Sequence, residues 1–114
     1  MLWPGKKLEV ADGADLRPLM KAIFGGKQEK VSSAEAVHWA LSRLREKRAQ
    51  VLIRLYGLDG GGERNIQAIC REVNFQGVIV VSDTTIYNNR NRGLQQLRDL
   101  EILQVLLGQK PVPR

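Results

Sequence analysis

Between Thr84 and Leu97 the chain strings together Thr84, Thr85, Tyr87, Asn88, Arg90, Asn91 and Arg92 without one aspartate or glutamate. These side chains suit the edges of base pairs. Arginine can make two hydrogen bonds to guanine, asparagine can do the same with adenine, and threonine can touch a thymine methyl or a phosphate. A surface that meets a line of phosphates must be free of carboxylates, and this stretch is. The same residue types also solvate ordinary helix faces, so the elements that carry them decide between the two uses.

Other chemistry is poorly represented. His38 is the only histidine and Cys70 the only cysteine, which leaves a metal ion without a ligand cluster and a general base without a positioned partner. Cys70 reads as a small core residue. The run Gly60-Gly61-Gly62 lacks the lysine and hydroxyl of a phosphate-binding loop and reads as a tight linker. No enzyme, catalytic residue, metal or cofactor is expected.

Eighteen lysines and arginines face twelve acids over 114 residues, giving a net charge of +6, and the isoelectric point is near 9.9. A small domain of that charge draws polyanions, with duplex nucleic acid the leading partner. Aromatic residues are only 5% of the chain, which disfavours the stacking platforms of single-strand binders. A lone cysteine excludes an internal disulfide framework, and no apolar run is long enough to span a bilayer. The start, MLWPGKKLEV, lacks the apolar core of a secretory signal, so a cytoplasmic location without membrane contact is expected.

Glycines and prolines punctuate a helical pattern. Leu2 to Gly13 has no helical spacing and reads as an extended arm. Asp15 can cap a helix with Pro18 in its first turn and Leu16, Leu19, Met20 and Ile23 on one face, ending at Gly25-Gly26. Ser32 and Glu35 stand at capping-box spacing before Val37, Ala40, Leu41 and Leu44. Val51, Leu52, Leu55 and Leu58 resume the pattern after the charged stretch Arg45 to Arg48, which fits two helices or one bent helix. Gly57 and the triple glycine mark the stop.

Asn65 then caps a short helix to Val73, with Ile66, Ile69, Cys70 and Val73 inward and Arg64, Gln67 and Arg71 toward water. Asn74 to Val81, with Gly77 and a β-branched run, predicts an extended connection or short strand. Ser82 or Asp83 can cap the last main helix, which buries Ile86, Leu94 and Leu97. Leu100 to Leu107 continue an apolar pattern up to Gly108, beyond which Pro111 and Pro113 predict a flexible tail. A short helix, a connection and a longer polar helix make the usual DNA-reading unit, the second helix entering the major groove. The expected fold is therefore all-α: a small helical bundle with a helix-turn-helix and an extended segment in its turn.

Three stretches give the pattern a familiar look: LREKRAQVL from Leu44 to Leu52, LIRLYGLDGGGERNIQAICREV after it, and NRGLQQLRD near the end. From Val31 to Asp99 the chain resembles region four of the housekeeping bacterial sigma factors, the loop GLDGG with both flanks being the most specific part. The resemblance implies an all-helical domain that contacts the minus-35 promoter element and clasps the flap of the RNA polymerase β subunit. It would bring Arg64, Asn65 and Gln67 near phosphate or the partner helix. The groove-reading positions would be Asp83, Thr84, Thr85, Tyr87 and Asn88, with Arg90 and Arg92 following. Two departures stand out. The chain inserts NFQGVI where the family turns tightly, and Asp83, Thr84, Thr85 and Tyr87 replace the arginine and glutamate with which the family reads bases.

The expected organisation is an N-terminal arm and short helix over residues 1–30, a sigma region four-like domain over 31–107 and a tail over 108–114. The expected DNA-binding set is Arg64, Thr84, Thr85, Tyr87, Asn88, Arg90, Asn91 and Arg92, on a transcription factor that binds duplex promoter DNA and RNA polymerase. The alternative is an interaction module that binds polymerase or a sigma partner without reading DNA, a reading motivated by the inserted turn and Asp83. A homodimer through Leu100 to Leu107 is the remaining expectation; a helix that only covers its own core would explain the same leucines.

Overall fold

A computed structural model describes residues 7–25, 33–74 and 81–112. Among these the chain forms helices and no strand: α1 (Arg17–Phe24), α2 (Ala34–Ser42), α3 (Glu46–Leu55), α4 (Ile66–Asn74), α5 (Asp83–Leu97) and α6 (Leu100–Leu106). The all-α expectation holds. None of the described helices is long and apolar enough to cross a membrane.

The helix ends follow the polar residues beside them. Asp15 accepts the Arg17 amide at 3.1 Å and pairs with its guanidinium, so it steadies α1 from one position outside the cap, which Leu16 occupies. The cap of α2 is Ser33, whose hydroxyl accepts the Ala36 amide at 3.1 Å; this corrects the expected Ser32 cap by one residue. Ser32 itself lies outside the described residues, and Glu35 falls in the first turn, where a negative charge meets the positive end of the helix. Asn65 accepts the Ala68 amide at 2.8 Å, and Ser82 accepts the Thr85 amide at 3.2 Å, as their spacing predicts.

The choice between one bent helix and two resolves as two. Arg45 is extended, and α3 starts at Glu46 inside the charged stretch. Most of the extended connection predicted over Asn74 to Val81 lies outside the described residues; Asn74 ends α4 and Val81 is buried.

Two apolar clusters organise the bundle, and α3 runs between them. The larger gathers Leu19, Met20 and Ile23 of α1, Val37 and Leu41 of α2, Leu52 and Ile53 of α3, Leu97 of α5 and Val105 of α6. The smaller holds Val51, Ile69, Val73, Val81 and Ile86, with Leu55, Ile66 and Cys70 at its margin. Adjacent residues on α3 thus face different clusters, and α5 divides in the same way, Ile86 toward one and Leu94 toward the other. Among the described helices these two make the most extensive pairing.

They approach closely because Gly93 has no side chain. A Cβ there would lie 3.0 Å from Leu52 Cδ1 and 3.4 Å from Arg48 Cβ. α1 shares the larger cluster, so the N-terminal segment belongs to the same core as the rest. The described part of the tail also docks: Val112 packs against that cluster.

The arm is tied down through a buried amide. Gln50 accepts the Leu8 amide at 2.8 Å and donates to the Leu8 carbonyl at 2.7 Å, while Ala11 donates to Leu58 at 2.7 Å. Arg54, one turn after Gln50, is 2% exposed and donates to the same Gln50 oxygen at 2.7 Å. Burial pulls its guanidinium below the usual arginine value, an effect opposed by the negative charges of Glu72 and Asp59.

Candidate nucleic-acid interface

The candidate surface is one side of α5, and its orientation follows from what the helix buries. Ile86, Gly93, Leu94 and Leu97 turn inward. At about 100° per residue, Thr84, Asn88, Asn91 and Gln95 fall on the opposite side, flanked by Thr85 and Arg92. All six are exposed. This face carries no carboxylate between Thr84 and Leu97. Asp83 is exposed in the first turn, where the helix end favours it.

α4 stands behind this helix. Ile69 and Val73 meet Ile86 in the smaller cluster, and the Cys70 thiol lies 2.8 Å from the Val81 carbonyl, just before the Ser82 cap. The base of α5 is thereby held on the rest of the bundle. At its other end the Arg98 guanidinium donates to the Ala22 carbonyl at 2.9 Å and the Ile23 carbonyl at 3.4 Å, placing a cation on the negative end of α1.

The expected contact residues do not act as one group. Thr85 shares a hydrogen bond with the Ser82 hydroxyl at 3.0 Å and belongs partly to the cap. Arg90 and Arg92, two positions apart, are turned by about 200°. Arg92 is exposed on the outer face, whereas Arg90 is half-buried. The Arg90 guanidinium lies 4.4 Å from the Tyr87 ring centroid, a cation–π stack, and donates to the Asn91 side-chain oxygen at 3.1 and 3.2 Å. It is also close enough to the half-buried Tyr56 to oppose the upward push that burial gives that hydroxyl. Tyr87 remains 47% exposed at the edge of the outer face.

Arg64 departs most from expectation. Instead of facing water, its side chain is 18% exposed and forms a fork on Asp59, with bonds of 3.0 and 2.7 Å, plus a third contact to Glu72 at 3.0 Å. It also donates to the Arg54 carbonyl at 3.2 Å. Hydrogen bonding from Arg64 holds the Asp59 carboxyl below its usual value, and the same bond raises the arginine. Arg64 thus locks the Gly57 to Gly62 loop onto α4. Gln67 and Arg71 are exposed as expected, and so is His38.

Sequence reasoning overlooked the wall beside α5. Arg48 of α3 lines a shallow, open groove of about 390 Å³ together with Asn91, Arg92, Gln95 and Gln96, and it donates a hydrogen bond to the Gln96 side chain. Its place in the charged run Arg45 to Arg48 bears only on whether one bent helix or two are present. The available signal was that Arg48 lies one turn before Leu52, on a face that the helical spacing already turns toward the core. Among the described residues no cluster of histidines, cysteines and acids could hold a metal ion. No family model, curated protein or solved structure matches this chain.

Proposed function

We propose that the chain is a DNA-binding transcription factor, built like a stand-alone sigma region four, that lays α5 in the major groove of duplex promoter DNA in the bacterial cytoplasm. The observation that carries this reading is the acid-free, exposed outer face of α5, backed by α4 and the smaller cluster. Asn88 and Asn91 offer amides to base edges, Thr84 a methyl and hydroxyl, and Arg92 a cation to phosphate or guanine. Asn91 holds Arg90 through its oxygen, so Asn88 is the better candidate for a bidentate contact to adenine. Arg90 acts from the flank, stacked on Tyr87. Contact with the RNA polymerase flap belongs to the same proposal and rests on the sigma-like stretches alone.

Selection of bound duplexes from a random pool tests it. A recovered motif is expected, and Asn88→Ala should relax selection at one base pair, with a loss of about 1–3 kcal/mol against the preferred base. A protein that retains no duplex at low salt yet captures core RNA polymerase would instead act as an interaction module, and the DNA-reading role of α5 would be withdrawn.

A further inference from the structure

We propose that the groove between α3 and α5 seats a backbone phosphate of the same duplex, so that Arg48 supplies a contact from a second helix. This rests on α5 being the reading helix. The groove is walled by two arginines, Arg48 and Arg92, and three amides, Asn91, Gln95 and Gln96, with no acid among its lining residues. Such a set of donors fits a phosphodiester and offers little to a cation or an apolar ligand.

The use of acids elsewhere in the molecule sharpens the point. Lys7 pairs with Glu46, Arg17 with Asp15, and Arg64 with Asp59 and Glu72, whereas neither Arg48 nor Arg92 meets a carboxylate among the described residues. Two uncompensated cations on facing helices repel each other. An anion between them relieves that repulsion.

The groove also continues the reading face. Asn88, Arg92 and Gln95 fall at i, i+4 and i+7 along α5, so they stack on one side of the helix. Asn88 and Arg92 are separated by about 6 Å along the axis. A helix whose earlier turns touch base edges therefore brings this groove to the flanking strand. The Arg48–Gln96 bond occupies one guanidinium N–H and leaves others to donate outward. Gly93 makes the arrangement possible, because a side chain larger than a methyl there would force α3 and its arginine away from α5.

Duplex binding by the full chain, followed by fluorescence anisotropy across a salt series, tests the assignment. For Arg48→Ala the expected result is a loss of about fivefold in affinity at physiological salt, equal for specific and unrelated duplexes, and a salt slope shallower by about one unit. Lys21→Ala, which removes the same charge from α1, should leave the slope unchanged. Should Arg48→Ala fail to fold by circular dichroism, Arg48→Gln retains the packing stem and carries the same expectation. If the Arg48 variants keep the wild-type slope while Asn88→Ala relaxes selectivity, the groove is not a phosphate seat and α5 still reads DNA. If the wild-type chain binds no duplex, both assignments fall.

Discussion

At the scale of single residues, the Asp59–Arg64 pair shows how a loop rich in glycine is kept in one shape. Asp59 accepts a two-bond fork from Arg64 and also takes the Gly61 amide at 3.1 Å, so its carboxylate is satisfied only when the loop is closed. Its side chain is 12% exposed, and water screens it little. Removing a charged, hydrogen-bonded partner at such a site costs about 1.5–3 kcal/mol, so Asp59→Ala should lower unfolding free energy by that amount in urea titration at neutral pH. The pH dependence follows from the direction of the shift. Asp59 is held below the ordinary 3.8 in the folded chain, so its contribution is complete above that value. It fades as pH falls through the lower folded value. The gap between wild type and Asp59→Ala should therefore close in acid; a gap that persists there would mean that the loop is held by something other than this ionised pair.

At the scale of elements, α3 and α5 decide whether the candidate surface is presented at all. Their crossing at Gly93 leaves no room for a large side chain. Ala would bring a Cβ 3.0 Å from a leucine tip that can shift, and it would gain about 1 kcal/mol of helix propensity, so Gly93→Ala should leave stability nearly unchanged. Leu at the same position has no such outlet and should cost about 1–3 kcal/mol, measured by thermal unfolding. Equal stabilities for Gly93→Ala and Gly93→Leu would mean that the helices are not in close contact. The elements themselves were largely legible in the sequence. Apolar residues three and four apart marked the helical stretches, and Asn65 and Ser82 marked two starts through their capping oxygens. The spacing of Ser32 to Glu35 points to a cap one residue early, because the adjacent Ser33 hydroxyl can cap equally well and does so. Arg64 was misread because its partners lie in a loop and on the next helix, at separations that no single-helix pattern reports. Gln50 and Arg54 sit one turn apart in an apolar segment, a pattern that resembles two interruptions and is in fact a buried tether for the arm. For the same reason the Arg48 wall was missed: periodicity says which face of a helix is buried and leaves open which neighbour lies alongside.

At the scale of the whole molecule, the division into two clusters sets an order of stability. The larger cluster draws on α1, α2, α3, α5 and α6, whereas α4 is held chiefly by packing its Ile69 and Val73 against Val51, Val81 and Ile86 of the smaller one and by Arg64. A nine-residue helix has no stability of its own in water and depends on that packing. Opening α4 would expose Ile69 and Val73 and break the Glu72 contact, while leaving Leu52, Leu97 and the rest of the larger cluster covered. It should therefore cost less than global unfolding. Native-state hydrogen exchange should find the α4 amides opening through a sub-global step, ahead of those of α3, even though the two helices are neighbours. Ile69→Ala should widen the difference, since a cavity in so small a cluster has few neighbours to collapse into it. Saturating duplex should narrow it, because a ligand that grips α5 favours the state in which α4 supports that helix. Exchange of α4 only through global unfolding, with or without duplex, would show that the two clusters act as a single cooperative unit and that α5 has no separately weakened support.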